Sequence, residues 1–176
     1  ILNLTPDHLN RHHTMEAYGA AKARIFENQD ESGYCIVNYD DKLCYSLTKD
    51  CRAKVVPFSR LEELEFGAFL KGDMMVIRNE EGELIELCSR NDLKIIGDHN
   101  VENALAAAAI CYFAGIDRDV IVKTLTEFAG VEHRIEYSGE INGIKFYNDS
   151  KGTNVDAAII ALKAIKKNII LIAGGD

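Results

Sequence analysis

The stretch IIGDHNVENALAAAAICYFAG occupies residues 95–115 and combines an apolar pair, a polar loop that begins with a glycine, and a long alanine-rich run that ends in a second glycine. Because alanine is the strongest helix former, residues 101–115 are predicted to form a helix that ends at Gly115. The apolar residues 93–96 predict a short strand that meets this helix through a polar loop. A strand followed by an apolar helix is typical of α/β domains, in which helices cover a sheet.

Toward the N-terminus, composition and periodicity predict several strands and one helix. Strands are predicted at residues 34–38 and 54–58 and a strand end at residues 2–4, with a β-hairpin over residues 73–87. A helix is predicted over residues 14–27, with Thr14 as its N-cap. These elements are consistent with a mixed sheet that the alanine-rich helix covers.

The C-terminal part predicts a second unit. A helix is predicted at residues 120–128, strands at residues 135–137 and 144–147, a further helix at 155–165 and an apolar strand at 168–173. The dipeptide Asn142-Gly143 between two of these strands is a strong hairpin signal. Strand, helix and buried strand would form a βαβ unit, the opening of a Rossmann-like sheet. We place a domain boundary near Gly130, which divides the chain into residues 1–130 and 131–176.

Composition limits the classes of function. The chain has 176 residues, 20 Lys plus Arg and 28 Asp plus Glu, and hence a formal net charge of −8. Broad binding to nucleic acid or to anionic membranes needs clustered positive charge and is therefore not expected. The longest apolar run, residues 104–116, is shorter than a membrane span.

The five cysteines include no C-x-x-C pair, which predicts reduced thiols in a cytoplasmic protein. Because the chain starts at Ile1 and stops after Gly175-Asp176, we expect it to be a piece of a longer protein.

The first predicted helix carries a lysine among its apolar side chains. At about 100° per residue, Lys22 falls within the stripe formed by Met15, Tyr18, Ile25 and Phe26. One interpretation is that the lysine stem packs on the helix while its ammonium group reaches solvent. The other is a lysine in a low-dielectric site, where an uncharged amine can react with CO₂ to form a carbamate. The carbamate oxygens would be good ligands for Mg²⁺.

A nearby histidine would fit such a metal site. His8 lies in the loop before the helix, and His12 and His13 are competing candidates. Taken alone, a histidine such as His8 is more often a surface residue than a metal ligand.

Two segments carry a resemblance to a known family. The segment NLTPDHLNRH at residues 3–12, followed by AAKARIF at residues 20–26, resembles the ATP-dependent Mur ligases of peptidoglycan synthesis. In that family the histidine and the lysine of these motifs serve a Mg²⁺ ion, and the lysine is carbamylated. The resemblance therefore assigns these roles to His8 and Lys22 and favours the carbamate interpretation.

The segment GDHNVENAL at residues 97–105 is similar to the G-x-H-N-x-x-N-A motif of the same family. An amide side chain can donate to and accept from the edge of an adenine base at once. The resemblance makes Asn103 the adenine contact, with Asn100 beside it. Without the family, Asn100 is equally well explained as a helix N-cap.

The segments EHRIE at residues 132–136 and FYNDSKGTN at residues 146–154 resemble the branch of the family that adds D-glutamate. The resemblance implies that Arg134 approaches the nucleotide phosphates and that Asp149 accepts hydrogen bonds from the ribose. Lys151 and Thr153 would face ATP and the incoming amino acid. The alternative is an ordinary polar loop in which Asp149 and Asn154 act as local caps.

Together these motifs imply an α/β fold: the later part of a P-loop-type ATPase central domain with a mixed sheet, followed by the first βαβ unit of a Rossmann-like C-terminal domain. The implied reaction joins D-glutamate to UDP-N-acetylmuramoyl-L-alanine through an acyl phosphate, with ATP and Mg²⁺ as cofactors, in the cytoplasm and without need of an oligomer. The family's G-x-x-G-K-[S/T] loop does not occur in the 176 residues, so this chain alone is expected to be inactive.

Two alternatives remain open. Another member of the superfamily, such as folylpolyglutamate synthase, also activates a carboxylate with ATP before joining an amino acid to it. A non-catalytic nucleotide-binding domain would use the same loops without chemistry.

Overall fold

The computed structural model describes residues 1–165 and 168–174. A five-stranded mixed sheet forms the centre of the molecule. Its strands, in spatial order, are β1 (Tyr34–Asn38), β2 (Lys54–Ser59), β3 (Gly67–Lys71), β4 (Met74–Arg78) and β5 (Leu84–Ser89). The pairs β1–β2 and β2–β3 are parallel, whereas β3–β4 and β4–β5 are antiparallel. This arrangement confirms the expected mixed sheet.

The α-helices are α1 (Leu9–His12), α2 (Met15–Ala23), α3 (Lys42–Ser46), α4 (Asp98–Phe113), α5 (Arg118–Glu127) and α6 (Val155–Ile165). Three short 3₁₀ turns, Arg24–Phe26, Leu47–Asp50 and Arg90–Asp92, connect elements of the sheet layer. No helix within the described ranges is both long and apolar enough to cross a bilayer.

Helix α4 covers one face of the sheet, where it packs on β1, β2 and β3. Its buried side chains are mostly alanines, with Leu105 fully buried at the centre of the contact. The facing strands contribute buried apolar residues, among them Phe58 and Ile77. On the other face, Phe69 and Val76 lie in a second, smaller cluster. Burial of these residues supplies the main stabilisation of the domain.

Most predicted elements of the first 130 residues are confirmed. Strand β1 has the predicted bounds, β2 is one residue longer, and β4 and β5 form the predicted hairpin. Thr14 caps α2, because its side chain accepts a hydrogen bond from the amide of Ala17 at 3.1 Å. All five cysteines, which lie in the described part of the chain, are free thiols.

Two strand predictions in this part are wrong, and three short elements were missed. Residues 93–96 pair with no described strand and instead lead from a 3₁₀ turn into α4, which begins at Asp98 rather than Val101. Residues 2–4 form no strand either, although the ammonium group of Ile1 donates to the carbonyl of Ile36 at 2.8 Å beside β1. Strand β3 and helices α1 and α3 were not predicted, since each has only four or five residues and depends on neighbouring elements for stability.

The C-terminal part begins with a separate two-stranded sheet, β6 (Glu136–Ile141) and β7 (Ile144–Asn148). The two strands are antiparallel across Asn142-Gly143, both with positive φ (52° and 79°), which confirms the predicted hairpin. Helix α6 also has the predicted bounds, and the side chain of Asn154 accepts from the amide of Ala157 at its start.

The predicted strand at residues 168–173 does not form within the described part of the chain. Its isoleucines are open to solvent, with Ile170 at 87% and Ile172 at 91% exposure. An apolar strand is stable only where neighbouring strands and covering helices bury it, and no described strand pairs with this segment. The βαβ unit is therefore present as β6, β7 and α6 without its closing strand, and the Gly175-Asp176 end lies outside the described residues.

Gly67 at the start of β3 allows a sheet contact that no other residue permits. Its φ is 106°, and a Cβ at this position would overlap the carbonyl oxygen of Pro57 in the neighbouring strand β2. Gly82, in the turn between β4 and β5, also has positive φ (79°) but has open space around it.

We therefore expect Gly67→Ala to lower the free energy of unfolding by about 3 kcal/mol or more, since backbone strain and backbone overlap add. Gly82→Ala should cost only about 1 kcal/mol, because it carries the strain without the overlap. Urea denaturation of the two variants measures the difference. Equal losses of stability would show that the contact with Pro57 imposes no constraint.

Candidate functional site

The carboxyl ends of β1 and β2 meet at one edge of the sheet, where polar side chains are buried. Asn38 ends β1 and Ser59 ends β2, with 3% and 0% exposure. Asp40 links the two strand ends: its Oδ1 accepts from the Ser59 hydroxyl at 2.6 Å and its Oδ2 from the amide of Arg60 at 2.8 Å. Ligands of open α/β sheets bind beyond this end of the strands. Sequence analysis missed these residues, although their positions directly after two predicted parallel strands were a usable signal.

The first turns of α4 lie beside this edge and carry the predicted adenine contacts. The Asn103 side chain donates to Oδ1 of Asn100 at 3.3 Å, and the Asn100 amide group donates to the carbonyl of Ile96 at 2.7 Å. The structure thus brings the two asparagines together. The interpretation of Asn100 as an N-cap is wrong, because the N-cap position is Gly97 and Asn100 lies inside the helix.

Helix α6 approaches the same turn closely. A Cβ on Gly97, whose φ is 98°, would lie 2.8 Å from the Cβ of Ala164. The glycine therefore allows α6 and the beginning of α4 to pack against each other. The contact lies near the C-terminal end of α6 and places this end of the helix beside the start of α4.

His99 lies near the start of α4, and charged residues of the C-terminal segments affect its pKa. Burial lowers the pKa of His99, and Arg134 acts in the same direction. The carboxylates of Glu102, Asp149 and Asp98 oppose this shift but do not overcome the burial. The structure therefore places two predicted site residues from the C-terminal segments, Arg134 and Asp149, within electrostatic range of the α4 start.

The loop that contains Asp149 is held by hydrogen bonds to the preceding His-Arg segment. Oδ1 of Asp149 accepts from the amide of Ile135 at 3.0 Å, and the amide of Lys151 donates to the carbonyl of His133 at 3.0 Å. The side-chain nitrogens of Asn148 and His133 lie 2.9 Å apart. Asp149 thus bonds to the amide of a residue 14 positions away and does not act as the local cap considered from the sequence.

The His-Arg segment has an unusual backbone. His133 and Ile135 have φ values of 68° and 47°. Positive φ is a genuine outlier for a β-branched residue such as Ile135, so the surrounding bonds must hold it there. Arg134 lies between these two residues with an exposed side chain, and Lys151 and Thr153 are exposed as well.

A second group of predicted residues surrounds Tyr18, which is 8% exposed. The His8 ring lies edge-on to Tyr18 with centroids 6.3 Å apart, the His12 ring lies at 5.3 Å, and Nζ of Lys22 is 5.3 Å from the Tyr18 centroid. His8 and Lys22 therefore share Tyr18 as a neighbour. Sequence analysis placed Tyr18 on the stripe but did not identify it as their common contact.

The low-dielectric environment expected for Lys22 is wrong for this structure. Lys22 is exposed, and Ile25, which was expected on the same apolar stripe, is 72% exposed. The reason is that α2 ends at Ala23 and the chain continues as a 3₁₀ turn, which rotates Ile25 away from the stripe. The placement matches the interpretation in which the ammonium group reaches solvent, here above the Tyr18 ring.

Within the described residues, no cluster of three or more His, Cys, Asp and Glu side chains could hold a metal by itself. The nearest carboxylate to the His8 ring is that of Asp7, with Nε2 and Oδ2 3.5 Å apart. Mg²⁺ normally keeps several waters and needs only one or two protein oxygens, so His8 and an oxygen-bearing Lys22 would be a sufficient protein contribution. The donor set fits Mg²⁺ only if Lys22 is modified, because an ammonium group has no lone pair.

Comparisons with known proteins assign the class. Residues 1–111 match the Mur ligase middle domain family. The chain therefore belongs to the Mur ligase family, which confirms the resemblance stated from the motifs.

Within this family, the chain is similar to proteins named UDP-N-acetylmuramoylalanine--D-glutamate ligase. It is 53% identical over 175 residues to the protein of that name from Caldanaerobacter subterraneus subsp. tengcongensis and 46% identical to that from Clostridioides difficile. In both comparisons 99% of this chain is aligned, but it spans only 38% of the length of the relative.

Solved structures support the fold. MurF from Acinetobacter baumannii has a TM-score of 0.74 at 22% identity, over 96% of this chain and 37% of the MurF chain. MurC from Thermotoga maritima has a TM-score of 0.65 at 24% identity, over 94% of this chain and 37% of that chain.

The lowered pKa of His99 generates a prediction about pH. As pH falls through the ordinary histidine value of 6.5, the unfolded chain takes up a proton that the folded chain accepts only at lower pH. Stability should therefore decrease as pH falls below 6.5 toward the lowered folded value, and His99→Gln should remove this part of the slope. Denaturation midpoints of both proteins between pH 7 and pH 5.5 measure it. An NMR titration in which His99 protonates at or above 6.5 would contradict the prediction.

Proposed function

We propose that this chain is the part of an ATP-dependent ligase that binds the nucleotide and one Mg²⁺, in an enzyme that adds D-glutamate to UDP-N-acetylmuramoyl-L-alanine in the cytoplasm. The single observation that carries the proposal is the identity of 53% over 99% of the chain to a protein named UDP-N-acetylmuramoylalanine--D-glutamate ligase. The bond from the amide of Ile135 to Oδ1 of Asp149, which joins the segment that carries Arg134 to the Asp149 loop, supports it. Residues 1–130 would belong to the central domain and residues 131–176 to the next one.

The nucleotide would bind where α4 and the Asp149 loop meet. Asn103, with Asn100 beside it, would read the edge of the adenine base, since each amide group both donates and accepts. Asp149 uses Oδ1 for the amide of Ile135, so a ribose hydroxyl would approach Oδ2. Arg134 has an exposed guanidinium group and would pair with the phosphates. Lys151 and Thr153, which are exposed on the same loop, would face ATP and the incoming amino acid.

The metal would be held by His8 and by the carbamate of Lys22. When bound, Mg²⁺ would supply charge that offsets the repulsion between a substrate carboxylate and the γ-phosphate. Both side chains already lie next to the Tyr18 ring, which brings the two proposed metal-binding residues into one region of the structure. Carbamylation would exchange a cation above the ring for an anion, and Lys22 would have to leave the Tyr18 face, where a cation is favoured.

The chemistry follows from these positions. ATP would phosphorylate the carboxylate of the muramoyl-alanine substrate, and the amine of D-glutamate would attack the acyl phosphate and release phosphate. Both steps bring anions together, so they depend on positioning and on local positive charge more than on acid–base groups. Arg134 would stabilise charge on the transferred phosphate.

The proposal is tested with the full-length enzyme. Purified protein is given ATP, Mg²⁺, UDP-N-acetylmuramoyl-L-alanine and D-glutamate, and release of phosphate is measured together with the UDP-linked product. We expect turnover with D-glutamate and none with L-glutamate or with a folate acceptor. Turnover with L-glutamate and folate would instead assign the protein to the folylpolyglutamate synthase branch, and absence of any acyl phosphate would favour a non-catalytic nucleotide-binding protein.

Replacement of the proposed carbamate residue is the most direct mutational test. We expect Lys22→Ala in the full-length enzyme to lower kcat by about 100-fold or more, as for loss of one group that stabilises developing charge. Short carboxylates such as acetate should restore part of the activity, because they can supply the missing oxygens. Lys49→Ala removes an exposed lysine of the same domain and serves as the control. Normal turnover of the Lys22 variant would refute the carbamate role.

The 176-residue chain itself should show no ligase activity with any of these substrates. No Gly-Lys-Ser or Gly-Lys-Thr triplet occurs in it, so the residues that would cradle the β- and γ-phosphates are not among those present. The measurement is phosphate release by the isolated chain under the conditions that support the full-length enzyme. Any product formation above background would contradict the assignment of this chain to only part of the active site.

A further inference from the structure

Arg60 occupies a fixed position at the carboxyl edge of the sheet. It directly follows Ser59, the fully buried last residue of β2. Its amide donates to Oδ2 of Asp40 at 2.8 Å, and the Ser59 hydroxyl donates to Oδ1 of the same carboxylate at 2.6 Å. The Ser59 hydroxyl oxygen in turn accepts from the amides of Leu61 and Glu62. The backbone that carries Arg60 is therefore held by four hydrogen bonds.

From this position the guanidinium group reaches the first turns of α4. Nε of Arg60 donates to Oε1 of Glu102 at 3.0 Å, and Nη1 lies 3.4 Å from Oδ2 of Asp98. The other oxygen of Asp98 accepts from Nη2 of Arg90 at 2.5 Å. The side chains of Arg60 and Glu102 are only 21% and 26% exposed, so water and salt screen this pair less than an ordinary surface pair.

The two carboxylates that Arg60 contacts lie in the same turns of α4 as the proposed adenine contacts. Asp98 is the first residue of α4 and Glu102 lies about one turn later, with Asn100 between them and Asn103 next to Glu102. A cation bound to both carboxylates therefore fixes the position of this turn relative to the sheet edge. Because the two asparagines are bonded to each other, they would shift together if the turn moved.

Arg60 also sets the charge near the nucleotide. A phosphate-bearing ligand close to Asp98, Glu102 and Asp149 would be repelled by uncompensated carboxylates. Arg60 and Arg90 provide positive charge within hydrogen-bonding distance of the first two of these side chains. Loss of Arg60 should therefore weaken binding of an anionic nucleotide even though Arg60 lies behind the binding surface.

We infer that Arg60 is a positioning residue for nucleotide selectivity: through Asp98 and Glu102 it holds the start of α4 so that Asn100 and Asn103 accept adenine in preference to other bases. The inference rests on the proposed function, since it takes these asparagines as the adenine contacts. Arg60 itself touches neither the base nor the reacting atoms.

The experiment measures selectivity of the full-length enzyme. Kinetics with ATP and with GTP are compared for the wild type, Arg60→Met, Arg60→Lys and a control. We expect Arg60→Met to raise KM for ATP about tenfold with kcat changed less than about twofold, and to reduce the ATP-over-GTP preference in kcat/KM by a similar factor. Arg60→Lys should be intermediate, because lysine keeps the charge but cannot contact both carboxylates with a planar fork.

Arg78→Met is the matched control. Arg78 is 23% exposed, pairs with Glu65 and lies over the Phe69 ring, whose cluster is on the sheet face opposite α4. Its replacement should lower thermal stability by an amount comparable to Arg60→Met without changing the ATP-over-GTP ratio. An unchanged ratio in Arg60→Met, or an equal change in Arg78→Met, would overturn the inference.

A charge exchange gives a second and independent test. Glu102→Gln should reproduce part of the effect of Arg60→Met, and the combination should cost less than the sum because both remove one contact. Arg60→Glu combined with Glu102→Arg should recover part of the ATP preference lost by Arg60→Glu alone. Additive effects and absence of recovery would overturn the inference.

The experiments also separate the two proposals. If the wild-type enzyme shows no ATP-dependent ligation, the proposed function fails. If it is active but the variants keep their selectivity, only the role of Arg60 fails.

Discussion

The close packing of α4 on the parallel part of the sheet is the interaction on which the rest of the structure depends. Alanines at positions 104, 106, 108 and 109 are buried, and their small side chains allow the helix to lie near the strands with Leu105 filling the centre. Because the helix axis is fixed in this way, its first turn comes to lie at the carboxyl ends of β1 and β2. Arg60 and Asp40 then tie the turn to those strand ends, and Gly97 lets α6 approach from the other side.

Elements specified by local interactions could be predicted from the sequence. The bounds of β1 and α6, the cap at Thr14 and the turn at Asn142-Gly143 all follow from side chains within a few residues. The sequence motifs are local as well. They indicated the Mur ligase family, and the match of residues 1–111 to the middle domain of that family confirms it. In each case the physical cause lies within the segment itself. It is a capping oxygen, a permitted positive φ or a run of apolar residues.

The features that could not be predicted depend on tertiary partners. Residues 93–96 and 168–173 have strand-like composition, but a strand also needs a neighbour that accepts its backbone hydrogen bonds, and composition does not reveal one. Lys22 appeared buried because the helical period was extended through residue 26, whereas the 3₁₀ turn after Ala23 changes that period. Arg60 and Glu102 are 42 positions apart, so no local pattern indicated their contact.

The same hydrogen bonds hold the strained His-Arg segment and the Asp149 loop. His133 and Ile135 have positive φ, and such conformations persist only when other interactions compensate for their cost. The bonds from the amides of Ile135 and Lys151, to the Asp149 carboxylate and the His133 carbonyl, provide that compensation. These bonds also hold the Asp149 loop against the His-Arg segment. A binding surface that is held in place in advance loses less conformational entropy when a ligand binds, so more of the contact energy remains for affinity. For the anionic nucleotide proposed above this saving would matter, because long-range electrostatic attraction contributes little in a chain with a net charge of −8.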